Sequence, residues 1–243
     1  MLCSSIFFSR HTDVPDKYLL KFLNCWSMNA SMQKEETEIK IDIRSNIRTF
    51  TAEVEGQTPI SFSKHYDHVT VPKVNDKESP DQYEQRTWSN RLHVNQNGIV
   101  LVPQMCVKSA LVETARFLSI KIPGKRNATF TKHFERGLLV QEEVPLLTPT
   151  GEPVKASSVG FETFLVPSDG KKGGASRVRK NFPVIFLWKA SSKIIVLDDA
   201  IPNDIFGRIL IECGRFNGWG RFRPQVGGFY GRFIVNKLTV STI

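Results

Sequence analysis

The chain has 243 residues, 40% of them hydrophobic, with 33 Lys and Arg against 24 Asp and Glu for a formal net charge of +9. That is enough apolar material for one large domain with its own core, and no apolar run approaches the ~20 residues of a bilayer-spanning helix. Cys3, Cys25, Cys106 and Cys213 are scattered, with neither metal spacing nor the framework of a small disulfide scaffold, so a reducing cytoplasm is the expected setting.

Residues 1–40 read as a poorly ordered N-terminal extension. The opening nine residues lack a basic n-region and make a poor signal peptide. Trp26 stands there without a sustained apolar period, and Met28 and Met32 are alternative starts. Residues 41–243 read as a single domain with insertions at about 56–97 and 144–180. From Arg48 the chain alternates, placing Phe50, Ala52 and Val54 on one side of a strand. Residues 56–97 are polar and rich in turn formers, a long excursion from the core. Within it His65 and His68 have no third ligand nearby, and Trp88 suits a lid or a stacking group.

Ile99 to Val102 form a strand that stops at Pro103 and feeds a helix over about 104–118. Val107, Ala110, Leu111, Ala115 and Leu118 recur on one face of that helix. A basic loop from Lys121 to His133 follows, then an apolar run at 138–140 and a Pro/Thr/Gly/Ser-rich stretch to Ser158. Residues 161–166, Phe-Glu-Thr-Phe-Leu-Val, follow as a further segment. Residues 167–174 are too glycine-rich for a regular element and lack the spacing of a phosphate loop. Pro183 to Trp188 and Lys193 to Leu197 read as two buried strands around a turn at residues 190–192, with Trp188 in the core. A second helix starts near Pro202, buries Ile205, Phe206, Ile209, Leu210 and Cys213, and ends at Gly214. Cys106 and Cys213 pack as small hydrophobes. The last strand spans about 229–240. The core order is strand, helix, strand, strand, helix, strand: an α+β, ferredoxin-like or RRM-like antiparallel sheet with two helices and long insertions. Its helix-free face is where RNA-recognition-motif proteins hold RNA.

Residues 207–233 concentrate seven of the sixteen glycines, five arginines and six aromatics. Glycine permits close approach to an anionic chain, arginine contacts phosphate, and aromatic faces stack on exposed bases. Arg215, Arg221, Arg223 and Arg232 are candidates for phosphate, glycine amides add donors, and Trp219 and Phe222 are candidates for stacking. The alternative is a structural hairpin whose aromatics fill core. Residues 207–232, 121–136 and 171–180 carry +4, +4 and +5, leaving the rest of the chain at −4. Lys125, Arg126 and Lys132 lie in the second basic segment, and Lys171, Lys172, Arg177 and Arg179 in the third. Brought together, the three would form a stripe for single-stranded RNA or DNA. No segment has the cationic amphipathic pattern of a membrane-surface helix, so no membrane partner is expected.

The strand-proline-helix at residues 98–111 and the glycine-rich segment at 214–231 resemble the RAMP superfamily, the RNA-recognition-motif-like backbone subunits of CRISPR effector complexes. Gln104-Met105 departs from the small-residue turn usual at that helix entry. Residues 85–88, 129–134 and 218–224 also resemble uncharacterised proteins of phages and prophages. The RAMP resemblance implies coating of single-stranded RNA, usually without catalysis, and a possible homo-oligomer or filament along the strand. No cofactor or metal motif is present; Asp198-Asp199 lacks a second carboxylate cluster and reads as a turn before the helix. His133, beside Lys132 and Arg136, is the one catalytic candidate, since cations favour the neutral form that a general base needs. Three readings follow. The first is a non-enzymatic single-stranded nucleic-acid binder, with RNA ahead of DNA. The second is a metal-independent endoribonuclease using His133. The third is a structural protein of a phage-like assembly.

Overall fold

The computed structural model describes residues 47–67, 69–75, 77–168 and 176–242. The N-terminal extension, His68, Lys171 and Lys172 lie outside the described residues. In chain order the first elements are β1 (Arg48–Gly56), β2 (Ile60–Ser61), helix α1 (Pro80–Thr87), β3 (Leu101–Val102) and α2 (Gln104–Leu118). Then come α3 (Thr131–Gly137), β4 (Leu138–Leu139), β5 (Val144–Leu147), β6 (Gly160–Pro167) and β7 (Arg177–Ile185). The chain closes with β8 (Lys189–Val196), α4 (Asn203–Glu212) and β9 (Phe233–Thr242).

The main sheet runs β3-β5-β8-β1-β9, with β4 also on β8, and every neighbouring pair is antiparallel. Reduced to β1, α2, β4 with β5, β8, α4 and β9, this is the split βαβ arrangement with spatial order fourth, first, third, second. The fold is therefore α+β and ferredoxin-like. The alternation in β1 buries Phe50, Ala52 and Val54, all at 2% exposure or less. Val107, Ala110, Leu111 and Ala115 of α2 join the same core, as do Phe206, Ile209 and Leu210 of α4. The ring of Phe206 lies 4.1 Å from that of Phe50. Burying each large side chain of this set contributes roughly 1.5–3 kcal/mol, which fixes α4 on the sheet.

A second, smaller antiparallel sheet, β2-β7-β6, joins β2 and β6 of the insertions to β7, which runs past residue 180 and takes the segment from Pro183 into this sheet rather than the main one. Helix α1 opens with a capping box in which Ser79 and Gln82 satisfy each other's backbone N–H groups. The excursion at 56–97 is thus not a departure from the core: it delivers Ile60, Phe62 and Leu92 into it. Four other expectations are corrected. β5 lies in the stretch read as irregular, where Pro145 masks a four-residue strand. The turn between β7 and β8 falls at Phe186-Leu187, 62% and 68% exposed, rather than at 190–192. Ala190 and Ser192 are small buried residues of β8, continuing the inward alternation of Trp188, Ile194 and Val196. After α4 the chain continues in a π-turn through Asn217, because Gly214 is not a terminator but a point of contact with the backbone of Phe233. The last strand starts at Phe233, not 229, since residues 218–231 fold as a packed loop.

Candidate nucleic-acid interface

The glycine-rich segment spends its close approaches on the protein itself. A Cβ on Gly231 would sit 1.8 Å from the carbonyl oxygen of Trp219, and one on Gly220 would sit 2.5 Å from that of Ser61. Both glycines have positive φ, so no other residue fits either backbone or space. The amides are engaged too. Gly218 donates to Cys213 O at 2.8 Å, Gly228 to Arg223 O at 3.0 Å and Gly231 to Pro59 O at 2.7 Å. Gly227 N–H reaches Pro224 O, and Gly220 N–H faces Cys106 Sγ. The expected donation of these amides to phosphate is corrected accordingly.

Trp219 is also corrected: it is 1% exposed and packs against Phe233 at 4.6 Å and Trp188 at 6.0 Å. Glycines on each side let the backbone drop far enough to bury the indole, so it offers no face to a base. Phe222 and Arg221 turn the other way, onto the second sheet. The Arg221 guanidinium lies 3.2 Å from the ring centroid of Phe182 and 3.6 Å from that of Phe222. Burial, and then the charge of Arg91, hold its pKa down to about 10, so it stays charged at neutral pH. Its Nη1 is buried without an acceptor. Arg221 and Phe222 therefore clamp the loop to the protein through cation–π contact and are not aimed outward. Tyr230 fastens the same contact by donating to Glu162 Oε2 at 2.6 Å; burial, with that carboxylate beside it, pushes the phenol up to about 12.

The remaining basic residues sit on separate elements. Lys125 and Arg126 are exposed in the loop after α2, and Lys132 is exposed on α3. Arg177 and Arg179 are exposed on β7, opposite Pro167 and Leu165. Arg223 is half-buried next to Cys106. Arg215 and Arg232 do meet: Arg232 Nη1 donates to the carbonyl oxygen of Arg215.

Arg232 opens onto a cavity of about 460 Å³ lined also by Glu113, Arg116, Phe117, Phe216, Asn217, Pro224 and Gln225. Phe117 and Phe216 stand at its edge with ring centroids 5.4 Å apart, 64% and 45% exposed. Arg116 bridges Glu113 and, at 2.8 Å, Glu135 of α3, while Arg215 pairs with Glu212 at 3.2 Å. Arg232 has no carboxylate partner among the described residues. Phe117 was discoverable from sequence. Seven residues after the buried Ala110, it sits at the border of the apolar stripe of α2, where a large ring left exposed signals contact.

The helix-free face of the main sheet does not provide a stacking platform. Thr49, Thr51, Glu53 and Glu55 of β1 face the same way as Lys189, Ser191, Lys193 and Ile195 of β8, and no aromatic ring stands among them. Glu53 approaches Lys237 at 3.8 Å and Glu55 approaches Lys189 at 3.9 Å, so the face is a mixed-charge surface. The expectation of an RRM-like binding face fails on side-chain chemistry, although the sheet order holds.

His133 lies on α3, not in a loop. Its Nδ1 is 2.7 Å from Oδ2 of Asp198, whose Oδ1 accepts from the Ala200 amide. Burial would raise the Asp198 pKa, but hydrogen bonds from His133 and Ala200 and the charges of His133 and Arg48 outweigh it and hold it below 3.8. An ionised carboxylate only accepts, so Nδ1–H is the donor of this bond. Because the folded pKa is the lower one, the pair's stabilisation is complete above 3.8 and is lost as pH falls through the folded value. Asp198→Asn is therefore expected to melt below the wild type at neutral pH and to converge with it in acid. A gap that persists in acid would refute the ionic contribution.

Among the described residues no group of three or more His, Cys, Asp or Glu side chains is placed to hold a metal, and no helix is long and apolar enough to cross a membrane. No family model matches the sequence, and no curated protein does. Among solved structures, the chain aligns with one described as a cryo-EM structure of the Type III-B Cmr-beta bound to cognate target RNA. That match has TM-score 0.42 and 9% identity over 94% of this chain and 68% of the other. It also aligns with the crystal structure of Cmr6 from Pyrococcus furiosus, at TM-score 0.39 and 11% identity over 79% of this chain and 99% of that one.

Proposed function

We propose that this protein binds single-stranded nucleic acid, RNA ahead of DNA, without cleaving it, along the groove between the last turn of α2 and the glycine-rich segment. One observation carries the reading: the exposed rings of Phe117 and Phe216 stand beside Arg232, a guanidinium with no carboxylate partner, in a cavity of about 460 Å³. Aromatic faces for bases next to cations for the backbone are what sequence-tolerant single-strand binding requires. Arg215 and Arg223 extend the cationic surface on the same segment. Lys125, Arg126, Lys132, Lys171, Lys172, Arg177 and Arg179 contribute longer-range charge. The preference for RNA follows from the resemblance to RAMP backbone subunits.

Anisotropy titration of a labelled single-stranded RNA tests the reading. With about four phosphate contacts, the slope of log affinity against log salt is expected near −3, since each contact contributes about −0.7. Phe216→Ala is expected to weaken binding about tenfold, within the ~1–3 kcal/mol of a stacked base. Binding that ignores both salt and Phe216 would remove the reading.

The His133–Asp198 pair supports a second one. A histidine oriented by a carboxylate is the arrangement of a general base. Metal-independent RNA cleavage that disappears in His133→Ala would establish it. Intact RNA after prolonged incubation with the wild type would dismiss it.

A further inference from the structure

We infer that this protein forms a two-fold dimer by pairing the open edge of β9 with the same edge of a second copy. The inference is independent of the nucleic-acid reading above. β9 closes one side of the main sheet, with β1 as its one neighbouring strand. Among the described residues, no backbone hydrogen bond reaches residues 234–242 from outside the ladder with β1. The outward row of N–H and C=O groups is therefore a template for a further strand. Natural sheets blunt such edges with bulges, charged side chains or proline. Here the bulge falls at Asn236, which has no partner in β1, and the charge at Lys237. Residues 238–242, Leu-Thr-Val-Ser-Thr, carry no such guard.

The helix layer also stops short of this edge. Val240 lies opposite Phe50 and points to the same inner face, yet it is 48% exposed where Phe50 is 2%. On α4, Gly207 lies against Leu238, and Ile211, one turn further along the same side, is 44% exposed. Glycine weakens a helix interior, and packing within the chain does not call for one here. A Cβ on Gly207 would meet only Leu238 Cδ2, at an ordinary 3.5 Å. Val240, Ile211 and the space beside Gly207 thus form an apolar strip along the open edge.

The occupant is a second copy because the edge complements itself. With Thr239 opposite Thr239 of the other copy, antiparallel pairing sets Leu238 against Val240 twice on the inner face. On the outer face each Lys237 meets Ser241, so no two like charges oppose one another. The other copy's Leu238 then covers the exposed Val240, and the added strand fills the strip beside Gly207. An isologous pairing of this kind closes on itself and gives dimers, not filaments.

The test is analytical ultracentrifugation of the full chain after nuclease treatment, so that no nucleic acid bridges two copies. The wild type is expected to pass from monomer to dimer as concentration rises. Thr239→Lys and Thr239→Glu each set like charges directly opposite at the centre of the pairing, and each is expected to weaken the dimer roughly tenfold. Thr239 is exposed on the outer face, so both variants keep the fold, which thermal melts check. Mixing the two variants sets Lys against Glu and is expected to restore the dimer. A wild type that stays monomeric at every concentration overturns the inference. A dimer indifferent to both charges places the contact elsewhere and overturns it as well. A mixture that stays monomeric overturns the register, and open-ended assemblies overturn the two-fold.

Discussion

Trp219→Ala should lower the melting temperature by on the order of 10 °C and leave any RNA contact at the groove to be lost only through unfolding. The indole is 1% exposed, 4.6 Å from Phe233 and 6.0 Å from Trp188, at the junction of β8, β9 and the glycine-rich loop. Deleting a buried aromatic costs roughly 3–5 kcal/mol, the lost transfer energy plus the cavity left behind. At about 2–4 °C per kcal/mol for a domain of this size, the shift is large. Trp219→Phe should cost far less, because the indole Nε1 is buried without an acceptor and its removal relieves an unsatisfied donor. Calorimetry on both variants decides the matter. An unchanged midpoint for Trp219→Ala together with weakened RNA binding would mean that the ring faces solvent.

Glu84→Ala is expected to be comparably severe, for an electrostatic reason. Arg91 Nη2 sits 2.9 and 2.8 Å from the two oxygens of Glu84, the side chains 11% and 13% exposed. The same guanidinium lies 4.7 Å from the centroid of Phe182, the ring that also carries Arg221. Two cations thus share one aromatic ring, and Glu84 compensates the Arg91 one. Removing one partner of a buried pair typically costs about 3–5 kcal/mol, because the other charge stays buried without it. Replacing the pair together, Glu84→Leu with Arg91→Met, should recover most of that loss, since well-packed apolar residues often match a buried ion pair. Urea midpoints of the single and double variants test the expectation. A harmless Glu84→Ala would show that water, not Glu84, compensates the Arg91 charge.

Elements with a strong period were legible in the sequence. The spacing of Val107, Ala110, Leu111 and Ala115 located α2 from Gln104 to Leu118, and the alternation of Phe50, Ala52 and Val54 located β1. The order of the six core elements followed. Elements without period were not legible: β5 has four residues and a proline, and β8 hides its inward alternation behind Ala190 and Ser192. The glycine-rich segment shows a different limit. Composition reveals that a backbone must come close to something, but not whether that partner is a phosphate chain or the carbonyls of Ser61 and Trp219. The groove escaped notice because its parts are far apart in sequence, with Glu113 and Phe117 on α2 and Phe216 and Arg232 on either side of the loop.

The position of β1 in the middle of the main sheet also shapes how the protein comes into being. β1 is made first among the described strands, yet its neighbours β8 and β9 lie roughly 150 and 190 residues downstream at the Arg48 end of the ladders, so its contacts are among the least local a chain can make. At a synthesis rate of about 5–20 residues per second, Phe50, Ala52 and Val54 wait on the order of ten seconds or more on the ribosome before a partner strand emerges. Until then an apolar strand with both edges open is available to chaperones and to other nascent chains alike. The yield of native protein in a cell should therefore depend on elongation rate and chaperone supply more than on the stability of the finished sheet.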